Sequence, residues 1–135
     1  MTRTKSVLTS DDVKKMAGAA EALATANGWA VTITIFDDGG HLLYLHRLDN
    51  AAPTTVELAI SKGRLSATGR RESKAYEEIV KNLTSFLSMP LSGMVEGGMP
   101  IIVNGDVVGA FGVSGARADQ DVAIAHAGIA ALDVD

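Results

Sequence analysis

The sequence contains no cysteine, few aromatic residues (4 %), only three histidines and no long apolar run. The absence of cysteine excludes disulfides, thiolate metal sites and cysteine nucleophiles. No apolar stretch approaches the roughly 18 residues that a membrane-spanning helix needs. The first residues, MTRTKSVLTSDD, carry no apolar signal core. We therefore expect a soluble, cytoplasmic protein with no membrane partner.

The charge pattern argues against nucleic acid as a partner. Twelve basic and sixteen acidic residues give a formal net charge of −4. A nucleic-acid-binding domain usually carries a basic patch or stripe, often with aromatic residues that stack on bases. This chain has one small basic cluster without such aromatics, formed by Arg64, Arg70, Arg71 and Lys74.

Hydrophobic periodicity predicts a single α+β domain over residues 1–135. Thr9-Ser10-Asp11-Asp12 predicts the start of a first helix, with a hydroxyl cap, and hairpin turns are expected at 37–40 and at Asn104-Gly105. The predicted order is α-β-β-α-α-β-β-α, and the two hairpins favour an antiparallel sheet flanked by helices. Ser73 is predicted to cap the third helix. The segment after that helix is irregular, and we expect tertiary contacts to order its apolar residues Phe86, Leu87, Met89 and Met94.

Six of the fourteen glycines fall within residues 97–115, GGMPIIVNGDVVGAFGVSG. Gly109, Gly112 and Gly115 give the spacing G-x-x-G-x-x-G, which is not the dinucleotide fingerprint G-x-G-x-x-G. A P-loop is excluded because no lysine follows Lys81. The nucleophile elbow G-x-S-x-G also fails, because Ser114 is followed directly by glycine.

Two interpretations of this glycine-rich hairpin stay open. Glycine inside a strand often marks the close approach of a ligand or of another backbone. In the first interpretation, the Ser114-Gly115 turn presents free N–H groups at a helix start, where a carboxylate or phosphate can bind. In the second, the glycines only make room for a packed helix.

Several blocks of the sequence resemble the GlcG/HbpS-like family, also called the haem-degrading family. They are Gly97-Gly98-Met99-Pro100-Ile101, Gly105, Val107-Val108-Gly109, Gly112-Val113-Ser114-Gly115 and Gln120-Asp121, with the turn 37–40, Arg47-x-Asp49-x-Ala51, Ala59 and Lys62 in the N-terminal half. The resemblance covers nearly the whole chain. It implies a profilin-like fold, a homo-oligomer with an even number of subunits, and haem as a cofactor or ligand.

The candidate ligand-binding residues come from both lines of reasoning. Arg47 can hold a carboxylate through its planar guanidinium, although an internal pair with Asp49 is an equal alternative. His46 is the candidate iron ligand and, with Glu96, a candidate for proton transfer. The resemblance adds residues of the second helix and the glycine-rich hairpin to the expected pocket: Lys62, Gly98, Pro100, Ser114 and Gly115.

Three functional hypotheses follow. The first is a small-molecule binding protein whose pocket lies between the glycine-rich hairpin and the Lys62 helix, for a ligand with carboxylate groups such as haem. The second is a cofactor-independent enzyme of the isomerase, lyase or hydratase type, acting on a small carbonyl or hydroxy acid. The third is an assembly module whose glycines serve subunit packing.

Overall fold

The computed structural model describes residues 1–132, and its elements follow the predicted order. The helices are α1 (Ser10–Ala26), α2 (Thr54–Gly69), α3 (Ser73–Asn82) and α4 (Ala118–Ala130). The strands are β1 (Thr32–Asp37), β2 (Leu42–Arg47), β3 (Gly98–Val103) and β4 (Asp106–Ser114), and a 3-10 helix occupies Thr84–Ser88. The predicted α+β fold is confirmed. Within the described residues, no helix has the length and hydropathy needed to cross a membrane.

The four strands form one antiparallel sheet in the order β2-β1-β4-β3. Each hairpin is therefore intact, and the two hairpins join through β1 and β4 at the centre. At the predicted turn of the second hairpin, Asn104 and Gly105 both have positive φ, 52° and 80°. Two positive φ angles are typical of the type I′ turn that follows the right-handed twist of a hairpin.

The two faces of the sheet differ in what covers them. On one face, α1 and α4 pack over a large apolar cluster that includes Met16, Ile33, Phe111 and Ile124, all fully buried. On the other face, α2 covers a small cluster of Phe36, Ala67 and Ala110. That second face also contains threonine and glycine, so side chains fill little space there and the helix comes close to the strands.

Glycines bring the backbone of α2 almost into contact with the sheet. A Cβ atom placed on Gly112 would lie 2.1 Å from the carbonyl oxygen of Ala59, and one placed on Gly98 would lie 2.3 Å from the carbonyl oxygen of Lys62. On the helix side, a Cβ on Gly63 would lie 2.9 Å from the amide nitrogen of Gly112. Hydroxyls of the sheet bond to the same helix: Thr34 Oγ1 lies 3.1 Å from the Ala59 carbonyl oxygen.

Two local expectations differ from the structure. Ser73 does not cap α3; it is the first residue of that helix, where its Oγ donates to the Val95 carbonyl and accepts from the Gly98 amide at 2.8 Å. Of the apolar residues after α3, Phe86 packs on Tyr76, but Leu87 and Met89 are largely exposed in the single chain. Contacts within one chain therefore cover only part of that segment.

Replacing Gly112 by alanine should destabilise the fold. The new Cβ would meet backbone atoms of α2, which move only if helix and sheet separate, and overpacking of this kind lowers the free energy of unfolding by about 3 kcal/mol. Urea denaturation measures the change. The control is Gly18→Ala in α1, where no atom lies within 4 Å of the new Cβ and alanine should add up to about 1 kcal/mol. Equal effects of the two substitutions would contradict the packing argument.

Candidate functional site

Lys62 is buried beneath the glycine-rich hairpin, where its ammonium group joins three elements. Its Nζ donates to the Val113 carbonyl oxygen at 3.1 Å and to Ser114 Oγ at 3.2 Å, and lies 3.5 Å from Asp121 Oδ2. We call Lys62, Ser114 and Asp121 the Lys62 cluster. A Cβ on Gly97 would lie 2.7 Å from Nζ, so the absence of a side chain at Gly97 gives the ammonium group its space.

Asp121 completes the cluster from the first turns of α4. Its Oδ1 accepts a hydrogen bond from the Ala116 amide at 3.0 Å, while Oδ2 faces Lys62. Burial raises the pKa of Asp121 to about 6, and the Ala116 N–H and the Lys62 charge limit that rise. The first N–H group after the Ser114-Gly115 turn is thus bonded to a carboxylate of the chain itself.

In the single chain, the backbone of α2 lies directly against the glycine-rich strands, where the sequence predicts a pocket. The Ala59 and Lys62 carbonyl groups occupy the space beside Gly112 and Gly98, and the sequence interpretation in which the glycines admit a packed helix describes this region. Gly115, at φ 134°, lies against the Ala30 carbonyl oxygen. Pro100 lies on the edge strand β3 opposite Ala110, where a residue without an N–H is tolerated.

Ligand contacts of Lys62, Gly98, Pro100, Ser114 and Gly115 stay predictions. Within the single chain, the Lys62 ammonium donates to the Ser114 hydroxyl, and the Gly98 amide donates to Ser73 Oγ. Glu96 lies elsewhere, just before β3, and its carboxylate is 3.9 Å from the Lys74 ammonium. It borders a small cavity of about 210 Å³ together with Gly98.

His46 occupies the opposite edge of the sheet, on β2. Its Nδ1 lies 2.6 Å from Glu21 Oε1 on α1, and the hydroxyl of Tyr44 donates to the same carboxylate oxygen. Burial and the Glu21 carboxylate raise the pKa of Tyr44, which keeps its hydroxyl protonated. The His46 side chain is still 52 % exposed. Because β2 and β3 are the two outer strands, the structure does not bring His46 and Glu96 together.

An open cavity of about 320 Å³ adjoins His46, and we call it the His46 cavity. Its lining includes Trp29, His46, Leu48, Asp49 and Asn50. Asp49 therefore shares the cavity with His46.

Arg47 extends from the opposite face of the sheet. It pairs with Thr32, whose hydroxyl lies 2.8 Å from that of Thr55 on the α2 side, and neighbouring side chains on a strand alternate between faces. Its guanidinium can reach the His46 cavity only around the end of β2.

The sequence analysis did not identify Glu21, Tyr44 or Asp121 as participants. Asp121 belongs to the Gln120-Asp121 pair of the family pattern, but the sequence alone did not indicate what its carboxylate contacts. Glu21 is one acidic residue among several on α1, and only the packing of α1 against β2 makes it the partner of His46. Tyr44 and His46 are two residues apart on one strand, which places them on the same face.

Comparison with known proteins decides the family. The sequence profile described as haem degrading protein, HbpS-like, matches residues 8–130. Protein GlcG of Escherichia coli strain K12 is 43 % identical over 113 residues, which is 83 % of this chain and 84 % of GlcG. The chain belongs to the HbpS-like family.

Solved structures of similar chains have the same fold. A double mutant of Streptomyces reticuli HbpS is 26 % identical, with a TM-score of 0.88 over 98 % of this chain and 91 % of that one. The structure of PduOC as a heme complex is also 26 % identical, with a TM-score of 0.83 over 96 % of this chain and 98 % of that one.

The raised pKa of Asp121 predicts the pH dependence of stability. The folded chain binds this proton more tightly than the unfolded chain does, so the stability that the group contributes is present below pH 4 and is lost as pH rises through about 6. A shift of this size corresponds to about 2–3 kcal/mol. Asp121→Asn should flatten the profile of unfolding free energy between pH 4 and 7.

The matched control for this experiment is Asp119→Asn, on the same helix but in solvent beside Arg117. Denaturant titrations of the three proteins at several pH values measure the slopes. The Asp119 variant should keep the wild-type slope in this range. Parallel profiles for wild type and the Asp121 variant would contradict a buried, proton-binding Asp121.

Proposed function

We propose that this protein binds a flat, carboxylate-bearing small molecule at the His46 cavity, with haem as the leading ligand. The observation that carries the proposal is an exposed imidazole whose Nδ1 is held by Glu21, so that Nε2 is left for a ligand beside a cavity. HbpS and the PduOC heme complex, as structural neighbours, support the same class of ligand.

The residues around the cavity fit haem in three respects. Histidine is a common axial ligand of haem iron, and a second hydrogen bond from the ligating histidine to a carboxylate is the usual support. Trp29 and Leu48 offer apolar surface to a macrocycle. Arg47 lies at the end of β2 on the other face, and its guanidinium would have to reach around the strand end to meet a propionate at the cavity edge. Asp49 would repel propionates, so they would point away from it.

Haem iron, when bound, would supply the electron-transfer and oxygen chemistry that side chains lack. The side chains of the protein would bind and orient the haem. His46 would hold the iron on one side, Glu21 would orient His46, and Trp29 and Leu48 would contact the macrocycle. Among the described residues no group of three or more His, Asp or Glu side chains could hold a metal ion, so a metal carried by its own macrocycle fits this chain better than a free ion.

We also propose that the protein forms a homo-oligomer with an even number of subunits. Exposed apolar side chains support assembly, because the segment 83–95 carries five of them: Leu83, Leu87, Met89, Leu91 and Val95. Large apolar side chains left exposed together in one segment favour an interface with another subunit.

A cofactor-independent enzyme is the second candidate, and the Glu21–His46 pair is the observation that favours it. A histidine oriented by a carboxylate is a common proton acceptor in catalysis, and the His46 cavity has the size of a small-acid site. Glu96 is too far along the sheet to act with it. Wild-type protein that gives no saturable response to haemin would favour this candidate over the first.

Haemin titration tests the proposed function. Wild-type apo protein should give a saturable, stoichiometric change in the visible absorption spectrum. His46→Ala should raise the dissociation constant at least about tenfold, because it removes the axial ligand, and Arg47→Ala should raise it less. The control is His126→Ala, which removes an exposed histidine of α4 and should bind as wild type does. Equal binding by all variants would contradict the assignment of the site.

Assembly is tested by changing the exposed apolar segment. Leu87→Asp combined with Leu91→Asp should lower the molar mass measured by sedimentation equilibrium, because charged side chains are excluded from interface cores. The control is Val7→Asp, at an exposed position outside this segment, which should keep the wild-type mass. An unchanged mass in the double variant would contradict the proposed interface.

A further inference from the structure

Glu21 Oε1 lies within hydrogen-bond distance of both the Tyr44 hydroxyl and His46 Nδ1. We propose that Glu21 is a positioning residue that fixes the proton of neutral His46 on Nδ1 and so presents the lone pair of Nε2 to the His46 cavity. The site would then accept electron-pair acceptors, a metal centre or an acidic proton, rather than a bare carboxylate. The proton position is a property of the chain alone, and only the identity of the acceptor rests on the proposed function.

The hydrogen-bonding capacity of the three groups leads to this assignment. An ionised carboxylate can only accept hydrogen bonds, and a phenol donates its single O–H. Tyr44 donates that hydrogen to Glu21 Oε1. His46 Nδ1 lies 2.6 Å from the same oxygen, a distance at which two lone pairs would repel. Nδ1 must therefore be the protonated nitrogen, and in a neutral imidazole the other nitrogen then carries the lone pair.

The three groups are held by regular secondary structure. Glu21 lies in the middle of α1, and Tyr44 and His46 lie two residues apart on β2, which pairs with the buried central strand β1. Groups on helices and strands keep their geometry better than groups on loops do. The orientation of His46 is therefore set before any ligand arrives.

The chemistry of the cavity agrees with an acceptor of electron pairs. A carboxylate ligand would need an N–H donor at Nε2. In neutral His46 the only ring proton is on Nδ1, so Nε2 has no hydrogen to donate. Asp49 lines the same cavity and adds a negative charge that opposes an anionic group there. The anionic groups of a ligand would instead lie outside this cavity, on the side of Arg47.

Nitrogen-15 NMR of the apo protein measures the proton position directly. Protonated and unprotonated imidazole nitrogens differ widely in chemical shift, and the chain has only three histidines to assign. Assignment uses His41→Gln and His126→Gln. The spectra are recorded at about pH 8, above the ordinary histidine pKa of about 6.5. We expect the Nδ1–H form for His46 in wild type, and the Nε2–H form would overturn the proposal even if no variant folded.

The variant Glu21→Leu tests the role of the carboxylate. Leucine is similar in size but has no acceptor, so nothing beside His46 Nδ1 favours the Nδ1–H form and the Nε2–H form should gain population. Tyr44→Phe is the matched control, because it removes one hydrogen bond from Glu21 and leaves the carboxylate beside Nδ1. It should keep the wild-type proton position. An unchanged His46 spectrum in well-folded Glu21→Leu protein would overturn the positioning role.

Haemin affinity provides a second, independent test. Loss of the hydrogen-bond acceptor behind a ligating histidine usually costs about 10- to 100-fold in metal affinity, and we expect Glu21→Leu to raise the haemin dissociation constant by that factor. Wild-type protein that does not bind haemin would remove the proposed function and leave the NMR result standing. Wild-type binding with no change in Glu21→Leu would overturn the ligand-facing part of this inference.

Discussion

The close contact between α2 and the sheet is the constraint on which the remaining structure depends. Side chains normally hold packed layers apart, by about 10 Å between two stacked sheets, but here Gly63, Gly98 and Gly112 remove them on both sides of the contact. Threonine hydroxyls from the sheet, including that of Thr34, then reach the helix. The second face of the sheet is therefore held by backbone proximity and hydrogen bonds, with only a small apolar cluster around Phe36.

The buried position of Lys62 follows from this proximity. Because α2 lies against the strands, the stem of Lys62 passes beneath the hairpin and its ammonium group comes to rest at the end of β4, next to Asp121. A buried lysine is stable only when its charge is paired and hydrogen-bonded. The Lys62 cluster thus fills the region that glycine-rich sequence alone suggests for a ligand, and it leaves the edges of the sheet as the accessible places.

The sequence predicted features that depend on neighbouring residues. Thr9 caps α1 in a reciprocal arrangement with Asp12, and Asn104-Gly105 forms the turn of the second hairpin, because both patterns are local. It could not predict that Ser73 bonds across to Val95 and Gly98. The pairing of Glu21 with His46 joins residues 25 positions apart, and no periodicity marks one glutamate of α1 as its partner. The contacts of the candidate site join residues that are distant in the sequence, so they become visible only in the folded structure.

The Lys62 cluster also bears on the order in which the chain folds. Its members come from the middle and the end of the sequence, at positions 62, 114 and 121. Until β4 and α4 have docked, the Lys62 ammonium stays in water, and α2 cannot settle fully on the sheet. We expect contacts between such distant parts of the chain to form late, because their loop-closure entropy must be overcome first. A cluster that forms after the folding barrier slows unfolding more than it speeds folding. Lys62 and Asp121 thus contribute to the lifetime of the folded chain, whatever they add to its equilibrium stability.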